Sequence, residues 1–200
     1  MPEITSQMVK ELRERTGAGM MDCKNALAES GGNMETALEW LRKKGLKSIG
    51  KRADRDAKEG LIYSYLHPNS RVGVMIELNC ETDFVARNTD FQETAKGVAM
   101  HIAWANPRFL DRESVPASVI EKEKEVFLAQ LTPQQQKVAD KILAGKLEKF
   151  YEESCLVEQV DMRESAAGKK IGEIVTDLSA KVGEKVVLRR FVRFELGESL

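Results

Sequence analysis

Cysteine and histidine are scarce in this chain. Its 200 residues hold three cysteines, Cys23, Cys80 and Cys155, and two histidines, His67 and His101. The cysteines are far apart, odd in number and form no CxxC pair, which argues against a zinc site and against an intrachain disulfide framework. A reducing, cytoplasmic setting is the expectation. Long hydrophobic runs are missing too: the longest are four residues, such as Val126-Phe127-Leu128-Ala129, where a membrane span takes about 18 or more. The start, Met1-Pro2-Glu3-Ile4-Thr5, has no basic flank and no apolar core, so it does not read as a secretory signal. No charge dominates either. Lys plus Arg is 31 and Asp plus Glu is 32, a net charge of −1, unlike the strongly basic balance of a chain that coats nucleic acid. A small local patch is not excluded by that count. Catalytic signatures are absent as well: Gly168-Lys169-Lys170 lacks the upstream glycine and the Ser/Thr of a phosphate-binding loop, and there is no GxGxxG, GxSxG or HExxH. No cofactor and no metal are expected.

What is present is helix pattern, then strand pattern, then helix again. Apolar residues make up 42% and charged residues 32%, enough for a real core under a heavily charged surface. At roughly 150 residues per domain the chain holds one to two domains. Residues 5–44 predict three short helices. Thr5 or Ser6 caps the first, with Met8, Val9 and Leu12 at helical spacing. Gly17 and Gly19 break it, and Met20, Cys23 and Leu27 mark the second. Gly31-Gly32 ends the second, Asn33 caps the third, Met34, Ala37, Leu38 and Leu41 form its stripe, and Gly45 closes it. Residues 1–46 therefore read as a helical module and 47–60, with Lys47, Lys51, Arg52, Asp54, Arg55, Asp56, Lys58 and Glu59, as a charged linker. Residues 61–200 read as a core domain. A hairpin is predicted at 61–67 and 72–80, with Val72, Val74, Ile76, Leu78 and Cys80 on one face. A capping box from Thr89 to Gln92 opens a helix carrying Phe91, Ala95, Val98 and Ile102. Helices follow at 118–131, after Thr132-Pro133-Gln134-Gln135, and at 146–156. The stretch 116–160 reads as a projecting helical hairpin. Ile171, Ile174, Val175 and Leu178 mark a further helix, and a strand at 186–194 returns to the hairpin. The expected class is α+β, with a three-stranded antiparallel sheet and helices on one face.

Most chemistry-bearing residues have a plain structural reading. Cys80 near His67 suggests a nucleophile and base, but Cys80 falls on the apolar face of its strand, where a small hydrophobe belongs. His101 reads as a solvent-facing or satisfied core residue, and the run Glu121–Glu125 as a solvated helix face. Two places resist. Thr82-Asp83-Phe84-Val85 lies between a strand end and a helix start, where a loop is expected; Phe84 there is either a satellite core contact or an anchor for a partner's pocket. Met20 and Met21 are adjacent, so both cannot point into one small core, and methionine suits an adaptable binding surface.

These same places resemble a known family. Val9-Lys10-Glu11-Leu12-Arg13-Glu14-Arg15-Thr16-Gly17-Ala18-Gly19-Met20-Met21-Asp22-Cys23-Lys24 resembles the N-terminal signature of bacterial elongation factor Ts. His67–Val74 and Leu78-Asn79-Cys80-Glu81-Thr82-Asp83-Phe84-Val85-Ala86 resemble its second signature. Segments around Phe150-Tyr151, Cys155–Gln159 and Arg189–Phe194 resemble later ones. The resemblance implies a guanine-nucleotide exchange factor for elongation factor Tu, without bond-making chemistry. It implies that Thr82, Asp83, Phe84 and Val85 displace Mg²⁺ from that GTPase, with Phe84 as the wedge. It implies that the N-terminal module is ubiquitin-associated-like and docks on the GTPase through Leu12, Met20 and Met21. Long family members carry two core subdomains. This chain has one, which predicts a homodimer in which the sheets or helices of two copies pack together. A passive binding module and a thiol enzyme built on Cys80 are the competing readings.

Overall fold

The computed structural model describes residues 4–50 and 52–198; residues 1–3, 51 and 199–200, and the side chains of residues 46–49, lie outside this description. Met1-Pro2-Glu3 and the linker lysines Lys47 and Lys51 are among them. The chain divides into two compact units. One comprises Met1–Leu61, Asn79–Gln92 and Val175–Val187, the other Ile62–Leu78, Glu93–Ile174 and Leu188–Leu200. The class is α+β, with eight α-helices and a three-stranded antiparallel sheet among the described residues.

In the first unit, α1 (Ser6–Thr16), α2 (Met20–Glu29) and α3 (Met34–Gly50) pack on one another. Local chemistry sets their ends. Thr5 caps α1 by accepting the Met8 N–H at 3.3 Å, and Gly17 closes it at φ +68°, a conformation costly for any residue with a Cβ. Asn33 Oδ1 accepts the Thr36 N–H at 3.0 Å and opens α3. Leu12, Cys23, Ala26, Leu27 and Ala37 form a fully buried core, flanked by Met8, Val9, Met34, Leu38 and Leu41. Gly45 does not close α3, as its position suggests; the helix runs on to Gly50. An added Cβ at Gly45 would lie 3.1 Å from the Ala180 Cβ, so the glycine serves a close approach to α8 (Ile171–Val182) rather than a helix end.

The second unit holds most of the sheet: β1 (Glu59–Leu66), β2 (Val72–Cys80) and β3 (Val187–Glu195), with β2 in the centre. His67 N–H donates to Val72 O at 2.9 Å and Leu196 N–H to Arg71 O at 2.8 Å, which fixes the register. One face then carries the rows Leu66–Gly73–Phe194, Ser64–Met75–Val192 and Ile62–Glu77–Arg190. The Arg190–Glu77 ion pair at 2.6 Å agrees with the last row. On the opposite face Val74, Ile76, Leu78 and Cys80 are buried, the alternation expected for a half-covered sheet.

α5 (Thr89–Ala105) buries Phe91, Ala95, Val98 and Ile102. Its cap is Asn88 rather than Thr89: Asn88 Oδ1 accepts the Asp90 N–H at 2.8 Å. α6 (Ala117–Ala129) and α7 (Ala139–Ser154) pack together. Thr132 and Gln135 do form a reciprocal box, at 2.9 and 3.4 Å, but it opens a 3₁₀ turn at Gln135–Val138. α7 then runs unbroken through Gly145, so the expected break before residue 146 is absent. Phe150 and Cys155 are buried with Val115. Beside this cluster Arg112 forms ion pairs with Glu148 and Glu158. Gly97 of α5 accommodates the guanidinium of Arg163, which a Cβ at that position would strike. Arg163 in turn holds the buried carboxylate of Asp161 at 2.5 Å.

A braced turn that exposes Phe84

β2 delivers the chain to a single helical turn, α4 (Asp83–Ala86). The sequence predicts a loop there; four residues are too few to show a helical period. Thr82, extended at φ −130° and ψ 151°, is its cap, and its Oγ1 accepts the Val85 N–H at 3.4 Å. Val85 and Ala86 are buried, whereas Phe84 is 81% exposed. Asp83 pairs with Arg87 one turn later at 2.8 Å. Phe84 is therefore not a satellite core contact in this chain.

The turn is held from the C-terminal end of α8, about a hundred residues away in sequence. Glu184 Oε2 accepts the N–H groups of Glu81 and Thr82, both at 3.0 Å, and Oε1 accepts the Thr82 hydroxyl at 2.6 Å. In the reverse direction the Lys185 N–H donates to Glu81 Oε1 at 2.6 Å. That bond, helped by Arg55, holds the Glu81 carboxyl below the usual range against a smaller effect of burial. The Glu184 carbonyl accepts from Ser179 Oγ at 2.5 Å and from Arg52 at 3.4 Å. Lys185 Nζ reaches the carbonyls of Ala53 and Arg55 at 2.5 and 2.9 Å. Sequence reasoning missed Glu184, Lys185 and Glu81. The only local signal is that Glu184 follows Gly183, whose φ of +77° ends α8.

Cys80 Sγ donates to Thr82 O at 3.1 Å. Burial, with the Glu184 charge adding to it, pushes this thiol up to about 11. His67 pairs with Val72 at the other end of β2, so strand register separates it from Cys80. A buried thiol held in its protonated form fits a packing group better than a nucleophile.

Met20 and Met21, in the first turn of α2, are 61% and 66% exposed. Leu12 is not at the surface. It is fully buried beneath α2 in the module's core, because its helical register with Met8 and Val9 points inward. Among the described residues no group of His, Cys, Asp or Glu side chains is placed to hold a metal ion, and no helix is long and apolar enough to cross a membrane.

The turn thus places a large aromatic in solvent on a hydrogen-bonded support. Comparison with known proteins gives the family. The family model for elongation factor TS matches residues 4–167. The elongation factor Ts of Desulforamulus reducens is 54% identical over 202 positions, which cover all of this chain and 92% of that protein. Those of Fervidobacterium nodosum and Thermodesulfovibrio yellowstonii are 54% and 53% identical over 98% of this chain and 100% and 98% of their own lengths. The chain belongs to the elongation factor Ts family.

Proposed function

We propose that this chain is a guanine-nucleotide exchange factor for elongation factor Tu. It binds the GDP form and promotes GDP release during protein synthesis, with no bond-making step of its own. The observation that carries the reading is Phe84, exposed on a turn whose flanks are pinned. Exchange needs only differential binding: the factor must favour the nucleotide-free GTPase over the GDP-bound one. An exposed aromatic that becomes buried in the partner supplies such a preference, because burying a Phe side chain is worth about 1.5–3 kcal/mol and each 1.4 kcal/mol is about tenfold in affinity.

In this mechanism Phe84 wedges between helices of the GTPase domain, while Thr82, Asp83 and Val85 set its approach. Val85 and Thr82 do so from inside, as core contact and cap. Asp83 does so at the surface, where it exchanges Arg87 for a partner group. The displaced helix carries ligands of Mg²⁺, an ion that demands near-ideal octahedral geometry, so a small shift weakens its hold on the nucleotide. The N-terminal helices form the ubiquitin-associated-like docking module on residues 1–46, joined through 47–60 to the core. Met20 and Met21 contact the GTPase, and Leu12 acts from beneath by holding α2. The α6–α7 pair is the projecting hairpin.

A homodimer belongs to the same reading. Ile62, Leu66, Met75, Val192 and Phe194 are exposed on one face of the sheet. An apolar face of this kind marks an interface. Its flanking charges, Glu77 and Arg190, already neutralise each other, so a second copy of the same face meets it without unpaired charge.

The test of function is release of a fluorescent GDP analogue from elongation factor Tu in millimolar Mg²⁺, with the full chain titrated in. The reading requires a release rate that climbs with factor concentration to a plateau well above the spontaneous rate. No acceleration at any concentration, with binding intact, would leave the passive-module reading in its place.

A further inference from the structure

The polar atoms of Thr82 are all engaged, and Glu184 holds two of them. Its carboxylate takes the Thr82 N–H at 3.0 Å and the Thr82 hydroxyl at 2.6 Å, and with the same Oε2 it takes the Glu81 N–H at 3.0 Å. The Thr82 carbonyl receives the Cys80 thiol at 3.1 Å and the Ala86 N–H at 3.4 Å. A hydroxyl has one proton. Because that proton goes to Glu184, the oxygen's lone pairs are left for the Val85 N–H. Glu184 thereby fixes the rotor of the residue that caps α4.

A four-residue helical turn cannot hold its own shape, since closing one turn fixes several dihedrals for a single hydrogen bond. Phe84 adds nothing to that hold, being exposed. The direction of its ring is therefore set through the backbone from Thr82 to Ala86. The side chain of Glu184 answers the backbone of Glu81 and Thr82, and the side chain of Glu81 answers the backbone of Lys185. This crossed pair works as a capping box does, but its two halves lie about a hundred residues apart. Ser179 and Arg52 fix the backbone of Glu184 itself.

We propose that Glu184 is a positioning residue for nucleotide exchange: its carboxylate sets the turn that presents Phe84 to the GTPase. The proposal rests on the exchange reading above. It is distinct from that reading in placing a requirement on a residue outside the Thr82–Val85 turn, one that acts through the turn's backbone and lies beyond the span matched by the family model.

The experiment is a double-mutant cycle on Mg²⁺-dependent release of the GDP analogue, using the full chain as wild type, Glu184→Gln, Phe84→Ala and the double variant. Gln keeps the length of Glu and one accepting oxygen, but it sets an NH2 donor where the other carboxylate oxygen accepts, either from the two N–H groups or from the Thr82 hydroxyl. The expected loss for Glu184→Gln is about tenfold, the scale of a small misplacement of a working group. In the Phe84→Ala background the same change is expected to cost less than about twofold, because its effect passes through the ring. Equal losses in both backgrounds would show a general structural role and overturn the proposal. Wild-type release by Glu184→Gln, with Phe84→Ala impaired, would overturn it and leave the wedge standing. Wild-type release by Phe84→Ala would remove both. Should Glu184→Gln fail to fold, Glu184→Asp and Thr82→Val take its place in the same cycle. Amide exchange at Glu81 and Thr82 gives a direct readout: it speeds up in the folded Glu184 variants while that of the α1–α3 core stays unchanged, and unaltered protection at both amides would contradict the proposal.

Discussion

Phe84 and Val85 are neighbours in the chain and opposite in surroundings: Phe84 leaves 81% of its surface in solvent, while Val85 is buried. A helical turn advances about 100° per residue, so one turn suffices to send Val85 and Ala86 inward and Phe84 out. The apolar character of Phe84 contributes little to the fold. A chain with a polar residue there would fold as well, and this separates what holds the turn from what the turn presents.

The N-terminal module makes the same separation testable. Leu12→Ala empties a fully buried position and is expected to destabilise the chain by about 2–5 kcal/mol in chemical denaturation. Met20→Ala and Met21→Ala change exposed side chains and should stay within about 0.5 kcal/mol. Together, though, they should weaken calorimetric binding to nucleotide-free elongation factor Tu by about tenfold. Wild-type affinity in the double methionine variant would remove these residues from the docking surface.

The sheet face predicts an oligomeric state. Phe194, in the row Leu66–Gly73–Phe194, is exposed within one chain. Phe194→Asp is therefore expected to leave the protomer's far-ultraviolet spectrum unchanged, while light scattering shows half the mass of the wild type. A wild type that scatters as a monomer at micromolar concentration would sink the dimer.

How much of this was legible in the sequence depends on distance along the chain. The β1–β2 hairpin, the Asn33 cap and the stripe of α5 follow from patterns within a few residues of one another. Some helix limits did not follow, the Asn88 cap of α5 among them. Gly45 reads as a stop until Ala180 is seen beside it, and α7 reads as two helices because Gly145 interrupts a charged, weakly periodic stretch. Phe84 and the two methionines stood out because a large apolar residue in a polar setting has few structural uses. Leu12 carried no such signal, since an apolar residue at helical spacing fits a core and a contact surface equally. The brace from Glu184 and Lys185 was beyond reach, because charged residues after a helix-ending glycine usually face water, and only the fold brings them to Glu81 and Thr82.

Acid is expected to weaken the second unit in two separate windows. His101 is buried, with Nε2 3.0 Å from Gln159 Oε1 and Nδ1 accepting the Met162 N–H at 3.3 Å. Burial holds its pKa below the ordinary 6.5, against the opposing Gln159 hydrogen bond and Asp161 charge and with the help of the Arg163 charge. The unfolded imidazole thus gains its proton first, and stability falls as pH drops below about 6.5. Asp161 is also buried, which raises its pKa, but hydrogen bonds and charge from Arg163 outweigh that and hold it low. Its contribution is complete above about pH 4 and is lost only as pH falls through the lower folded value. Denaturation midpoints at pH 7.5 and 5.5 should differ in the wild type, and the difference should shrink in His101→Gln. An unchanged difference would show that another group titrates there.

Thiol chemistry separates the binding readings from an enzyme. Burial pushes Cys80 and Cys155 to about 11, and all three cysteines are buried. At pH 8 the native chain should react with iodoacetamide more than ~100-fold more slowly than the denatured chain. Cys80→Ser should retain exchange. Rapid single-site alkylation at Cys80 with loss of activity would restore the thiol-enzyme reading.

The most direct measurement is release of the fluorescent GDP analogue from elongation factor Tu in millimolar Mg²⁺, comparing the wild type with Phe84→Ala at matched fold and oligomeric state. The account predicts that truncating the ring lowers the acceleration by about 10- to 100-fold, equivalent to roughly 1.4–2.8 kcal/mol. Chelating Mg²⁺ should largely erase the difference between the two proteins. Equal acceleration by both proteins in Mg²⁺ would contradict it and place the exchange element elsewhere on the chain.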